Sequence, residues 1–209
     1  MYTFPNMLLR FGQYSSIPIT AAGIVLAAVL TLGCTRKDSE IKTGIRAVDF
    51  ANFTYFPSCN GNQSGPVKVK DRTIQNNKIV DGVNEPIDEN LPNYFDLGEP
   101  VYGDLDGDGK EEAVIQSECN MGGTANFDEG YIFAMKDGTP VLVARVEGGD
   151  RGMGGIANLK IVENRLVLTR NESSVNCCAE FTVTTSYRLK GNKLVVVGTP
   201  ERRKVDNHD

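Results

Sequence analysis

The chain has 209 residues, 40% of them hydrophobic, with 22 Lys+Arg against 27 Asp+Glu and a formal net charge of -5. That suffices for one globular domain plus a tail or targeting segment, and the composition is neither collagen-like nor that of a disordered chain. The single histidine, His208, stands beside the C-terminus, which argues strongly against Ser-His-Asp and Cys-His catalysis and His-ligated zinc, while no Lys/Arg cluster is long enough for the basic face that nucleic acid requires.

The first element is a targeting segment. Between Arg10 and Arg36 lie 25 uncharged residues, and Ile17 to Leu32 is a nearly continuous apolar run ending in Gly33-Cys34. A cationic start, an apolar stretch and a small residue before a cleavage point read as an export signal, residues 1–33. Leu30-Thr31-Leu32-Gly33-Cys34 resembles the bacterial lipobox, in which Cys34 becomes the lipidated first residue. An uncleaved single-span anchor and another mode of cleavage remain open as alternatives, and all of them export the remainder. Residues 34–43 then form the lipidated Cys and a polar tether that holds a domain at a membrane surface.

Beyond the tether the pattern has period two. Short strands are expected at Val48–Phe56, Val67–Lys70, Tyr94–Tyr102 and Glu112–Ser117, with Asp71 to Pro92 as loop or a short helix. Asp137-Gly138, Glu163-Asn164 and Gly191-Asn192 predict three hairpins. Phe181, Val183, Thr185, Tyr187 and Leu189 alternate with polar residues, as a half-buried antiparallel strand requires. No sustained helical stripe is present after the targeting segment. The expected fold is all-β, an antiparallel meander forming a sandwich or partly closed barrel over residues 44–200, followed by a charged tail, 201–209.

The sharpest chemical signal is Asp104-Leu105-Asp106-Gly107-Asp108-Gly109-Lys110-Glu111-Glu112. Carboxylates at positions 1, 3 and 5, a backbone carbonyl at 7 and an acid at 9 can wrap a hard cation, and calcium is the natural occupant. An EF-hand would need a bidentate acid at position 12, which is Ile115. The loop resembles instead the calcium loops of FG-GAP or VCBS-type repeats. That resemblance implies Asp104, Asp106, Asp108, the Lys110 carbonyl and Glu112 as ligands.

Four cysteines follow the lipobox: Cys59, Cys119, Cys177 and Cys178. An even number in an exported chain reads as disulfides. Joining the neighbours Cys177 and Cys178 would close a strained eight-membered ring, so Cys59 and Cys119 are each expected to bond one member of that pair. Glu99, Glu111 and Glu118 offer carboxylates for acid/base hydrolysis, Tyr55, Phe56, Tyr94, Phe95 and Tyr102 are core or rim aromatics, and Arg151 beside Asp150 reads as a loop salt bridge.

From Asp49-Phe50-Ala51-Asn52-Phe53-Thr54-Tyr55 through Gly103–Gly109 and Gly148-Gly149-Asp150-Arg151 to Cys177-Cys178, the chain resembles bacterial envelope lipoproteins, among them the LppP/LprE type. The resemblance and the residues together lead to one expectation: a lipid-anchored envelope protein facing periplasm or exterior, with a calcium-stabilised domain that binds a protein or glycan without catalysis. The alternative is a carboxylate-based or calcium-assisted hydrolase of envelope polymers. An enzyme should gather two or more acids, not used by the ion, in one cleft, whereas a binding module should expose an aromatic or apolar patch.

Overall fold

A computed structural model describes residues 43–59, 65–150, 153–174 and 178–205. The expected signal segment, Cys34, most of the tether, Arg151, Cys177 and His208 lie outside the described residues. Among the described residues no helix is long and apolar enough to cross a membrane. The fold is all-β with antiparallel sheets and no closed barrel, so the sandwich and not the barrel is the form adopted.

One sheet contains β3 (Thr73–Gln75), β6 (Tyr94–Leu97), β7 (Val101–Gly103), β8 (Glu112–Asn120), β9 (Phe127–Lys136) and β10 (Thr139–Asp150). Its order is β10-β9-β8-β6-β3, and β7 pairs with the start of β8. The second sheet is a four-stranded meander of β11 (Ile156–Val162), β12 (Arg165–Glu172), β13 (Phe181–Lys190) and β14 (Lys193–Lys204). The three predicted hairpins join β9 to β10, β11 to β12 and β13 to β14. Their turns place Asp137, Gly138, Glu163, Asn164 and Gly191 at positive φ, the conformation that matches right-handed strand twist.

Both faces of the larger sheet are covered. Ala113, Ile115, Cys119, Tyr131 and Phe133 point to one side, where Ile45, Phe50, Tyr55, Val67 and Val69 of the N-terminal segment close over them. Val114 and Ile132 point to the other side and meet Ile156, Leu166, Leu168 and Leu189 of the four-stranded sheet. Period two thus feeds two cores from β8 and β9, which explains the unbroken buried runs Glu112–Ile115 in β8 and Glu129–Phe133 in β9.

Several expected boundaries are corrected. Val48–Phe56 is not one strand: it holds a 3-10 turn at Phe50–Asn52 before the short β1 (Thr54–Tyr55), which pairs with β2 (Val67–Lys68). Tyr94–Tyr102 is divided between β6 and β7 at Gly98-Glu99-Pro100, where Pro100 has no N–H for the ladder. The Asp71–Pro92 stretch contains β3 and a hairpin of β4 (Asn77–Val80) and β5 (Val83–Pro86) turning at Asp81-Gly82. Its Ile79 is 77% exposed, so no alternation toward a core marked these strands. Glu201–Lys204 is not tail but the end of β14, paired with Phe181–Thr184.

The cysteine pairing is corrected as well. Cys59 bonds Cys119, with Cα atoms 6.0 Å apart, and both are fully buried. The N-terminal segment folds back along β8, which brings Cys59 onto the face that carries Cys119. Neither therefore bonds Cys177 or Cys178, and Cys178 is exposed.

Candidate metal centre and neighbouring clefts

β7 and β8 pair through Val101↔Val114, Tyr102↔Ala113 and Gly103↔Glu112, so the Asp104–Glu111 loop leaves and re-enters the sheet at one ladder position. Leu105 is driven into the core between the sheets at 1% exposure, and its carbonyl accepts the Leu189 N–H at 3.0 Å. This buried residue between two exterior acids fixes the loop to both layers.

The loop then curls on its own amides. Asp104 accepts from Gly107 N–H at 2.6 Å and Gly109 N–H at 3.1 Å, Asp106 from Asp108 N–H at 3.0 Å, and Asp108 from Lys110 N–H at 2.8 Å. Gly107 and Gly109 have φ of +85° and +84°, a conformation that costs a Cβ-bearing residue strain. Carboxylate oxygens of Asp104, Asp106 and Asp108 consequently lie within 4.8 Å of one another. Each oxygen retains a lone pair beyond its N–H bond. The donor set is hard and anionic, on a loop with room to adjust, which fits calcium.

Glu112 borders the same cleft of about 380 Å³, with Asp106, Asp108, Lys110 and Lys136. At 2% exposure its carboxylate is directed onto the Leu105 N–H at 2.8 Å. Burial, with the charges of Asp106, Asp108 and Asp104 adding to it against the Leu105 hydrogen bond, pushes its pKa up to about 7. Glu111 faces away and takes Arg46 through Nη2 at 2.7 Å, which holds its carboxyl below the usual range. Of the predicted ligand set the structure thus joins the three aspartates, with Glu112 and Lys110 at the margin.

The acids singled out for hydrolysis are not gathered. Glu99 pairs with Arg72, Glu111 with Arg46, and Glu118 accepts from Tyr94 at 2.9 Å and Asn126 at 2.5 Å. A different acidic cleft, about 580 Å³, is lined by Asp128, Glu129, Glu147 and Asp150 with Gly148 and Gly149. A Cβ on Gly148 would stand 1.8 Å from the Asp128 carbonyl, so only glycine lets β10 approach β9 there. Asp128 accepts the Ile156 N–H at 2.9 Å, and its pKa is pushed up to about 6, chiefly by burial. Glu129 accepts the Ser58 N–H at 2.8 Å and the Tyr131 hydroxyl at 2.5 Å. Sequence reasoning missed this group because its members meet through the β9–β10 register, Glu147↔Glu129 and Asp150↔Phe127.

A third cleft, about 500 Å³, is aromatic. Phe53, Tyr55 and Phe56 form one wall, and Tyr131, Phe133 and the Pro140-Val141-Leu142 edge of β10 form the other. Phe53, Tyr55 and Phe133 meet edge to face with ring centroids 5.4–6.0 Å apart, leaving Phe56 at 55% exposure. Of the aromatics named from sequence, Tyr55 and Phe95 are buried, Tyr94 is bonded to Glu118, and Tyr102 lies beneath Arg46 at 4.5 Å. Comparison with family models, curated proteins and solved structures finds no match.

Proposed function

We propose that the protein is an exported envelope lipoprotein, anchored through Cys34, whose calcium-stabilised β domain binds a protein or glycan without catalysis. Calcium is assigned to the Asp104, Asp106 and Asp108 carboxylates, with the Lys110 carbonyl and Glu112 completing the shell. The observation that carries binding over catalysis is the exposed Phe56 at the edge of the aromatic cleft: its ring, backed by the packed Phe53, Tyr55 and Phe133, offers area for stacking a sugar or meeting an apolar side chain. Tagged wild type used to capture partners from detergent-solubilised envelopes should retain a species that Phe56→Ser loses at least about tenfold, one free-energy step of about 1.4 kcal/mol. Equal capture by both proteins would overturn the assignment of this cleft.

A carboxylate-based or calcium-assisted hydrolase of envelope polymers remains as the second reading, because Asp128 in a cleft with Glu147 and Asp150 has the raised pKa of a general acid. Release of soluble fragments from purified envelope polymer, abolished by Asp128→Asn, would favour that reading over binding.

A further inference from the structure

We infer that the outer face of the four-stranded sheet is a seat for an anionic lipid bilayer. Residues that are scattered in sequence share this face because strand neighbours alternate sides. Their register is fixed by Lys160↔Val167, Val162↔Arg165, Arg188↔Val195, Lys190↔Lys193 and Thr182↔Arg203. The inner positions of the same strands, Leu166, Leu168 and Leu189, are buried against the larger sheet, so these residues point away from it.

Lys160, Arg165, Arg188, Lys190, Lys193 and Arg203 therefore line one surface of a chain whose net charge is -5. The one acid at the paired outer positions, Glu201, is bound by Arg203 at 2.7 Å. Lys190 and Lys193 stand directly opposite each other, an arrangement that weakens a sheet unless an anion lies against it.

Charge complementarity favours a bilayer as the occupant, and the apolar side chains support it. Val162 and Val195 are 44% and 39% exposed among the cations, which suits the boundary between headgroups and acyl chains. The acid-lined clefts are lined chiefly by β9, β10 and the Asp104–Glu112 loop, with none of these six cations at their walls. Each Lys or Arg within a Debye length of an anionic membrane strengthens attraction about fivefold. The inference is independent of lipidation at Cys34, since it concerns how the domain lies once it is near a surface.

The test uses the full chain mixed with vesicles of phosphatidylcholine alone or of phosphatidylcholine with phosphatidylglycerol, treated with a water-soluble amine-acylating reagent and mapped by mass spectrometry. Lys160, Lys190 and Lys193 should be protected at least about fivefold by the anionic vesicles at low salt. The protection should vanish at about 1 M salt, where the Debye length is about 3 Å. Lys78 and Lys136, exposed on other strands, should react equally in both. Lys190→Glu with Lys193→Glu, which turns the cationic pair into an anionic one that a negatively charged bilayer repels, should lose the protection of Lys160. Equal protection by both vesicle types, or protection that survives the double substitution, would overturn the inference. Flotation with phosphatidylcholine vesicles reports separately on the N-terminal anchor, and a chain that floats there yet shows no anionic protection sinks the face alone.

Discussion

Asp106 and Asp108 are exposed and lie with Asp104 inside 4.8 Å, so their mutual repulsion is offset by loop amides, by Lys110 and Lys136 at the cleft margin, and by solvent or a cation. Calcium at a hundredfold excess over Kd should therefore stabilise the domain by about 2.7 kcal/mol. Thermal unfolding with calcium or chelator should show a shift of several degrees in wild type and none in Asp106→Ala or Asp108→Asn. Magnesium should substitute poorly, since it demands shorter, strictly octahedral bonds. Asp128 sets a separate pH dependence. Its folded pKa of about 6 lies above its ordinary 3.8, so the folded state holds a proton that the unfolded chain releases. The contribution is complete below about pH 4, is lost as pH rises through about 6, and stays lost above, a decline of at most about 3 kcal/mol that solvent screening of this part-buried carboxyl reduces. Asp128→Asn keeps an acceptor for the Ile156 N–H and should remove that decline, leaving the variant more stable than wild type at pH 7. Denaturant titrations across pH 4–8 measure it, and a wild-type profile flat over that range would contradict the assignment.

Among the elements, β14 gives the clearest consequence. The run Glu201-Arg202-Arg203-Lys204 looks like a solvated tail, yet it pairs with Phe181–Thr184. Arg202 lies 3.3 Å from the centroid of the Phe181 ring and reaches Glu172 at 2.8 Å. Truncation after Pro200 should cost about 2 kcal/mol, from lost ladder bonds and the cation–π contact. A tail would cost nothing, and denaturant midpoints distinguish the two. Gly148 belongs to β10, where a side chain would collide with the β9 backbone. Gly148→Ala should destabilise by about 3 kcal/mol because the neighbour is backbone and cannot rotate aside. The hairpins at Asp137-Gly138, Glu163-Asn164 and Gly191-Asn192 were legible because turn chemistry is local. Asp81-Gly82 carries the same signal, but its strands expose Ile79 and Val83, so there was no alternation to frame it.

At the scale of the whole molecule the Cys59–Cys119 bridge closes a separation of 60 residues and ties the covering N-terminal segment to β8. Loop-closure entropy gives such a bridge about 4 kcal/mol. Non-reducing peptide mapping should recover Cys59 linked to Cys119, and Cys59→Ala should lower stability by roughly that amount. A Cys59 peptide joined to Cys177 or Cys178 would overturn the Cys59–Cys119 pairing. The sequence by itself determined the all-β class, the three hairpins and the Asp104–Glu112 loop, because alternation, positive-φ turns and carboxylate spacing are properties of a few consecutive residues. Only the tertiary structure decided which cysteines meet, that β8 and β9 serve two cores, and that Asp128, Glu129, Glu147 and Asp150 share a cleft. It also assembled the basic face from Lys160, Arg165, Arg188, Lys190 and Lys193, none of which forms a long cationic run in sequence. These are consequences of strand register and sheet packing, which join residues many positions apart through contacts that no local pattern encodes.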